Sequence, residues 1–279
     1  STKSAWRVGL NLIHHALAPS RFEGDAEIFN SLNTVSRNSL ENAIYFNNAY
    51  KFSNRLNVDY GLRLSSYTIL GGDTYNVYEK GVKTESIVLA KSDLGKTFIN
   101  PEPRISLTMQ INSSSSIKTG YARNTQNLHL LSNSTSGSPT DAWIGNSYNI
   151  DPEKSDQVSL GYFKNLKDNT YELSFETYYK SMQNQVDYKN GADIETAPDV
   201  ESELLFGKGR AYGAEFFIKK RKGVWTGWIS YTLSRTERKI EGINENKWYN
   251  AKQDRTHDLA IVASYQLNER WSLSSNFVL

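Results

Sequence analysis

Polar and apolar residues alternate along much of this chain, and a period of two places successive side chains on opposite faces of an extended strand. Between Arg104 and Asn112, Ile105, Leu107, Met109 and Ile111 share one face, while Arg104, Ser106, Thr108, Gln110 and Asn112 share the other. Leu56, Val58, Tyr60, Leu62 and Leu64 likewise oppose Asn57, Asp59, Gly61, Arg63 and Ser65. The same alternation holds for Trp6, Val8, Leu10 and Leu12, for Tyr171, Leu173 and Phe175, and for Leu259, Ile261, Ala263, Tyr265 and Leu267. Helical periodicity occurs nowhere at comparable length.

The connections between these strands alternate as well. Short turns fall near Ser53-Asn54, Asn112 to Ser116, Asn165 to Asn169, Lys222-Gly223 and Asn268-Glu269. Long polar loops fall at roughly 15–40, 71–99, 125–155, 183–206 and 238–254. Repeated structureless loops of that length argue against a compact soluble domain. Outer-membrane barrels are built this way, with short periplasmic turns and long extracellular loops. The expected fold is therefore all-β, an antiparallel transmembrane β-barrel with about eleven strands of roughly ten residues. The count is odd, with a first strand near Ala5 to His14 and a last near Arg270 to Leu279. Bacterial barrels have an even strand number and no free edge, so residues 1–279 are expected to be part of a single outer-membrane barrel domain, with further strands on both sides.

Composition agrees with a barrel and excludes a helical membrane protein. The chain has 17 Tyr, 11 Phe and 6 Trp, yet its mean hydropathy is polar and no apolar run reaches the length of a membrane helix. Aromatic residues near strand ends, such as Tyr45-Phe46, Tyr178-Tyr179, Trp225 with Trp228, and Trp271, suit girdles at the two membrane interfaces. Ordinary β-propensity is the plainer explanation of the same residues. Cysteine is absent, and the net charge of +2 exerts no general pull toward nucleic acid. The basic run Lys219-Lys220-Arg221-Lys222 precedes a Gly and reads as a solvated turn. No signal peptide is visible at the first residues.

Several stretches resemble the β-barrel portion of TonB-dependent outer-membrane receptors, particularly those of Bacteroidetes. They are Tyr45-Phe-Asn-Asn-Ala-Tyr-Lys51, Leu56-Asn-Val-Asp-Tyr-Gly-Leu-Arg63 and Asn100-Pro-Glu-Pro-Arg-Ile-Ser106, followed by Leu128-His-Leu-Leu131 and Pro152-Glu-Lys-Ser-Asp-Gln-Val-Ser-Leu-Gly-Tyr162. Gly209-Arg-Ala-Tyr-Gly-Ala-Glu215 and Gln253-Asp-Arg-Thr-His-Asp-Leu259 complete an ordered set covering most of the chain. The resemblance implies a barrel of about 22 strands filled by an N-terminal plug. It also implies uptake of a scarce nutrient (siderophore, cobalamin, glycan or peptide) driven through the TonB complex. The partners implied are outer-membrane lipid, the plug domain of the same protein, TonB and a surface lipoprotein, with no nucleic acid and no cofactor. The plug and the remaining strands are expected outside this chain.

Charged residues on the polar strand faces, namely Asp59, Arg63, Arg104, Glu172, Glu176, Glu215 and Lys219, are candidates for the barrel lumen and for plug contacts. At the midplane of a lipid face an Arg or Lys would cost about 2–4 kcal/mol. Their plainer role is pairing with one another or with the plug. Ligand contact is expected in the loops, because loops on a rigid scaffold carry recognition. The flexible run Ser132-Asn-Ser-Thr-Ser-Gly-Ser-Pro139 leads to Asp141, Trp143, Asn146 and Tyr148, and Lys247-Trp-Tyr-Asn250 brings Trp248 and Tyr249. Aromatic faces beside amides suit a glycan or peptide; packing of the extracellular mouth explains the same residues.

Chemistry beyond binding finds little support. His14 and His15 are adjacent on a strand and point to opposite faces, so they do not chelate together. Asp254 and His257 could form an Asp–His pair for hydrolysis, but they read better as a loop-to-strand entry. The runner-up within transport is a passive porin or channel; the rivals from other classes are an outer-membrane barrel hydrolase using Asp254 and His257 and a secreted β-rich module whose apolar faces pack together.

Overall fold

The computed structural model of the chain describes residues 3–17, 37–131, 142–192 and 199–279. The wall is one antiparallel sheet of long strands: β1 (Ser4–Leu17), β2 (Arg37–Lys51), β3 (Leu56–Leu70), β6 (Leu94–Asn112), β7 (Ser115–Gln126), β10 (Glu153–Leu166), β11 (Tyr171–Tyr188), β12 (Leu204–Lys220), β13 (Trp225–Ile240), β15 (His257–Gln266) and β16 (Ser272–Val278). These eleven follow one another in that order, and the two-residue β14 (Tyr249–Asn250) attaches to β13. Each neighbouring pair is antiparallel, as expected from the alternation and the short turns. The path is open: β1 and β16 each pair on one side only. No helix among the described residues is long and apolar enough to cross a membrane.

The register carries the alternation coherently from strand to strand. Leu10 faces Ile44, which faces Leu64; further on, Phe175 lies beside Phe216 and Ile229 beside Ile261. The resulting apolar face is uncovered, with Leu12 at 78% and Leu10 at 72% exposure. A soluble sandwich would have to bury this face, so the secreted-module reading is overturned. The opposite face is polar.

Three expectations need correction. The long loops are not structureless. Loop 71–93 holds a hairpin of β4 (Asp73–Glu79) and β5 (Val82–Leu89), and loop 127–152 holds one of β8 (Leu128–Leu131) and β9 (Ala142–Gly145). Nine of the eleven wall strands also run longer than ten residues; β11, for one, continues past a bulge at Asn184 (φ 56°) to pair Tyr188 with Leu204.

The aromatic pairs, moreover, do not lie together in a girdle, since neighbours on a strand face opposite ways. Phe46 stacks on Trp6 at 4.8 Å on the apolar face. Tyr45 lies instead across Gly9 on the polar face, where an added Cβ would come within 2.3 Å of its hydroxyl. Tyr179 sits beside Tyr212 on the apolar face while Tyr178 reaches over Gly213. Trp225 packs on Tyr265, and Trp228 on Phe217 across the sheet. Such aromatics cover the bare backbone of a neighbouring glycine.

Candidate functional site at the loop ends

Three ordered loops meet above the long-loop end of the sheet. Their contacts begin with apolar burial in two clusters. Tyr67, Ile69 and Phe98 of the wall hold Tyr75 of the β4–β5 hairpin, with Leu128 and Tyr148 packed alongside. Val186, Tyr188 and Leu204 hold Leu131 and the fully buried Ile150. The β8–β9 hairpin and the segment after it therefore touch both clusters.

Polar groups lock the same three loops together. A short 3-10 helix, Val200–Glu203, begins at Asp199, whose carboxylate accepts the Glu201 N–H at 3.1 Å. The other carboxylate oxygen of Asp199 accepts from the Tyr78 hydroxyl at 3.0 Å and from the Asn76 amide at 3.4 Å. Asn149 accepts the Tyr78 N–H at 2.8 Å, and its amide donates to the Asn76 carbonyl at 2.8 Å and to Glu201 at 2.6 Å. The Ser147 hydroxyl donates to the same Glu201 oxygen at 2.7 Å. Burial pushes the Glu201 carboxyl above its ordinary range, against the lowering effect of Asn149 and Ser147. Burial and the Asp199 charge together push Tyr78 up to about 12.

Beneath the loops lies a cleft of about 600 Å³. His129, Glu153 and Gln185 line one side: the Gln185 amide donates to Glu153 at 2.8 Å, and the His129 Nε2 lies 2.9 Å from the Asn146 carbonyl oxygen. Asn146 donates its own amide to Asn127, so the network assigns the proton to Nε2. His129 Nδ1 then faces Glu153 at 3.6 Å, buried and without a hydrogen bond among the described residues. Asp187 and Arg238 line the other side, 3.4 Å apart, and Asp187 also accepts from the Tyr249 hydroxyl at 3.1 Å. Burial, then the Asp187 charge, raises Tyr249 to about 12. The mixed charge and amide lining can bind a polar or zwitterionic group in several orientations.

The loop candidates fare unequally. Asn146 is buried in internal hydrogen bonds, and Tyr148 packs on Tyr75 at 5.6 Å. Trp143 is 54% exposed on β9. Trp248 stacks on the Arg210 guanidinium at 4.2 Å, on the sheet face opposite to Tyr249, which alone of that pair adjoins the cleft residue Asp187. The run Ser132 to Pro139, with Asp141, lies outside the described residues. Glu153, Gln185, Asp187 and Arg238 carry no mark in the sequence because they belong to three strands, β10, β11 and β13, far apart along the chain. Only register brings them to one place.

On the polar face of the wall, Arg63 lies near Glu41 at 3.8 Å and Glu102 at 3.7 Å and donates to Asn11 at 2.9 Å. Glu172 pairs with Arg221 of the adjoining turn. Asp59, Arg104, Glu176, Glu215 and Lys219 share that face with no side-chain hydrogen bond or ion pair among the described residues. Glu176 stands directly across from Glu215. Asp59 and Arg104 border a second cleft of about 500 Å³. His14 is exposed while His15 contacts Glu41 at 3.3 Å. Asp254 caps the Thr236 N–H at 2.6 Å, whereas His257 bonds the Tyr231 hydroxyl at 2.8 Å. The two groups have separate partners and form no catalytic pair.

Residues 5–279 match the family described as TonB dependent receptor-like, beta-barrel. No curated protein sequence matches the chain. Solved structures do. The FrpB iron transporter from Neisseria meningitidis (F3-3 variant) aligns with a TM-score of 0.66 at 10% identity, over 99% of this chain and 40% of its own. The copper transporter OprC aligns at 0.60 and 12% identity, over 100% of this chain and 41% of its own. The alcaligin outer-membrane receptor FauA from Bordetella pertussis aligns at 0.55 and 13% identity, over 99% and 47%. This chain spans less than half the length of each, and at such identities the likeness is one of fold.

Proposed function

Because this chain belongs to the TonB-dependent receptor β-barrel family and so to the Gram-negative outer membrane, we propose that its sheet forms about half the wall of a plugged barrel of about 22 strands. That barrel takes up a scarce nutrient by a TonB-driven step. The family is one of receptors and transporters, not of enzymes. The observation that carries the proposal is the pairing of two unlike faces: an uncovered apolar face, and a polar face with charges that lack partners in the sheet.

Charges removed from water need partners. In a plugged lumen, Asp59, Arg104, Glu176, Glu215 and Lys219 find them in the plug, while Arg63 and Glu172 are already satisfied by the wall. The cleft between Glu153 and Asp187 is the site proposed for cargo, with Tyr249 bonded to its Asp187 and Asn146 bonded to its His129. The named neighbours are an iron transporter, a copper transporter and an alcaligin receptor; by analogy a siderophore leads the cargo classes, with cobalamin, glycan and peptide as the alternatives. A surface lipoprotein would serve as an accessory for the last two. Loops locked across the mouth suit a gated receptor better than an open channel.

The test is uptake of labelled ferric siderophore, cobalamin, oligosaccharide and peptide by cells carrying the complete receptor, with and without TonB. Uptake of one class that stops without TonB is expected. Equal permeation in both strains would replace the proposal with a passive channel.

A further inference from the structure

On the outward side of the sheet, a band of charge follows the apolar face on the long-loop side. Along β12 that face runs through Ile218, Phe216, Ala214 and Tyr212 and then meets Arg210 and Lys208. Ten residues separate Lys220 from Arg210 (220 − 210), and at 3.3 Å per residue with a tilt of about 40° they rise about 25 Å, the height of a hydrocarbon band.

Immediately above the tyrosines, charges are matched: Arg123 pairs with Asp156 at 2.8 Å and Arg210 with Glu237 at 2.8 Å. One step higher they are not. Lys154 faces Gln183, Gln183 faces Lys208, and Lys208 faces Lys239, so three lysines occupy a single row across four adjacent strands. Their parity is that of Val158, Tyr179, Tyr212 and Arg235, and none of the three has a side-chain partner among the described residues. Like charges directly opposite one another across strands are destabilising, and carboxylates within the row would have relieved the repulsion.

We propose that the row Lys154–Lys208–Lys239, with Gln183 between the first two, binds the phosphorylated headgroup of the glycolipid that forms the outer leaflet. The inference rests on the outer-membrane reading for its orientation, since the long loops define the outer side. Three points favour a lipid phosphate over another occupant. The row lies at headgroup height, one residue pair above the Arg210–Glu237 pair and two above Tyr212. It continues the parity of the uncovered apolar face, and it presents Lys208 and Lys239 at strand spacing, close to 5 Å, with Lys154 two strands from Lys208. Lysine is a point-charge phosphate binder, and the glutamine adds an amide donor for a sugar hydroxyl.

The complete receptor in detergent micelles is titrated with diphosphoryl lipid A, with its dephosphorylated form and with inorganic phosphate. The K154Q/K208Q/K239Q variant is compared with K80Q/K83Q/K91Q, which removes the same charge from the exposed β4–β5 hairpin. A lysine at an anionic surface contributes about fivefold in affinity, so the first variant is expected to bind diphosphoryl lipid A roughly 100-fold more weakly. The control should stay within about twofold. Heat-modifiable gel mobility verifies assembly, and K208Q alone, with about a fivefold loss expected, serves if the triple variant does not assemble. Equal affinity of wild type and the row variant would overturn the proposal, as would equal affinity for the dephosphorylated lipid. Inorganic phosphate binding as tightly as lipid A would also overturn it, in favour of a soluble-phosphate site.

Discussion

Replacing Leu160 by arginine tests the lipid-facing assignment at its centre. Leu160 is 54% exposed on β10, midway between the outward polar residues Lys164 and Asp156, each four residues away. Four residues rise about 10 Å at a tilt of about 40°, so a guanidinium at Leu160 cannot snorkel easily to either interface. On a water-exposed surface the change would alter stability by about 0.5 kcal/mol or less. At a bilayer midplane the expected cost is about 2–4 kcal/mol, or roughly 30- to 1000-fold in the folding equilibrium. Ser159→Arg is the internal control: one residue along, it projects from the polar face, where its cross-strand neighbours are Gly120 and Tyr178. The assay is denaturant titration of the complete receptor folded into phosphatidylcholine vesicles, read by tryptophan fluorescence and gel mobility. A neutral Leu160→Arg, or equal losses for the two variants, would refute the assignment of faces.

Further expectations concern the loops and one close backbone contact. Glu201 has a raised pKa in the locked loops, so the locked form holds the proton more tightly, and locking strengthens as pH falls from neutral toward the ordinary carboxylate range. Hydrogen exchange at the Ile150 amide, corrected for intrinsic rate, should show this gain, and Glu201→Gln should abolish the pH dependence. Asn149→Ala strips partners from the Tyr78 N–H, the Asn76 carbonyl and Glu201. It should release the loops by about 2–3 kcal/mol, read as lost protection at Tyr78, while unchanged protection there would contradict the lock. Gly207→Ala would bring a Cβ to 2.3 Å from the Lys239 carbonyl oxygen and 2.7 Å from the Ile240 Cα. Backbone atoms yield poorly, so a loss of about 1–3 kcal/mol is expected in the same denaturant titration.

What could be read from sequence and what could not divide along a physical line. Strand identity depends on a local period, and Leu56 to Ser65 or Arg104 to Asn112 display it without help from the rest of the chain. Turn lengths are local too, so the eleven wall strands and their order followed. The charged residues named on the polar face were found by the same parity. Loop structure depends on distant partners: the β4–β5 hairpin is held by Asp199 and Asn149, more than 70 residues away, through side chains that look like ordinary loop polarity. Adjacent aromatics misled for a related reason. Trp248 and Tyr249 suggest one recognition surface when read as a cluster, yet on a paired strand they must part, one to Arg210 and the other to Asp187. Register is the missing quantity in each case. It also separates two rows of cations that composition treats alike, the arginines matched by Asp156 and Glu237 and the lysines one step higher that are matched by nothing in the sheet. A surface that neutralises one row and leaves the next unpaired points to the counter-charge of the membrane itself.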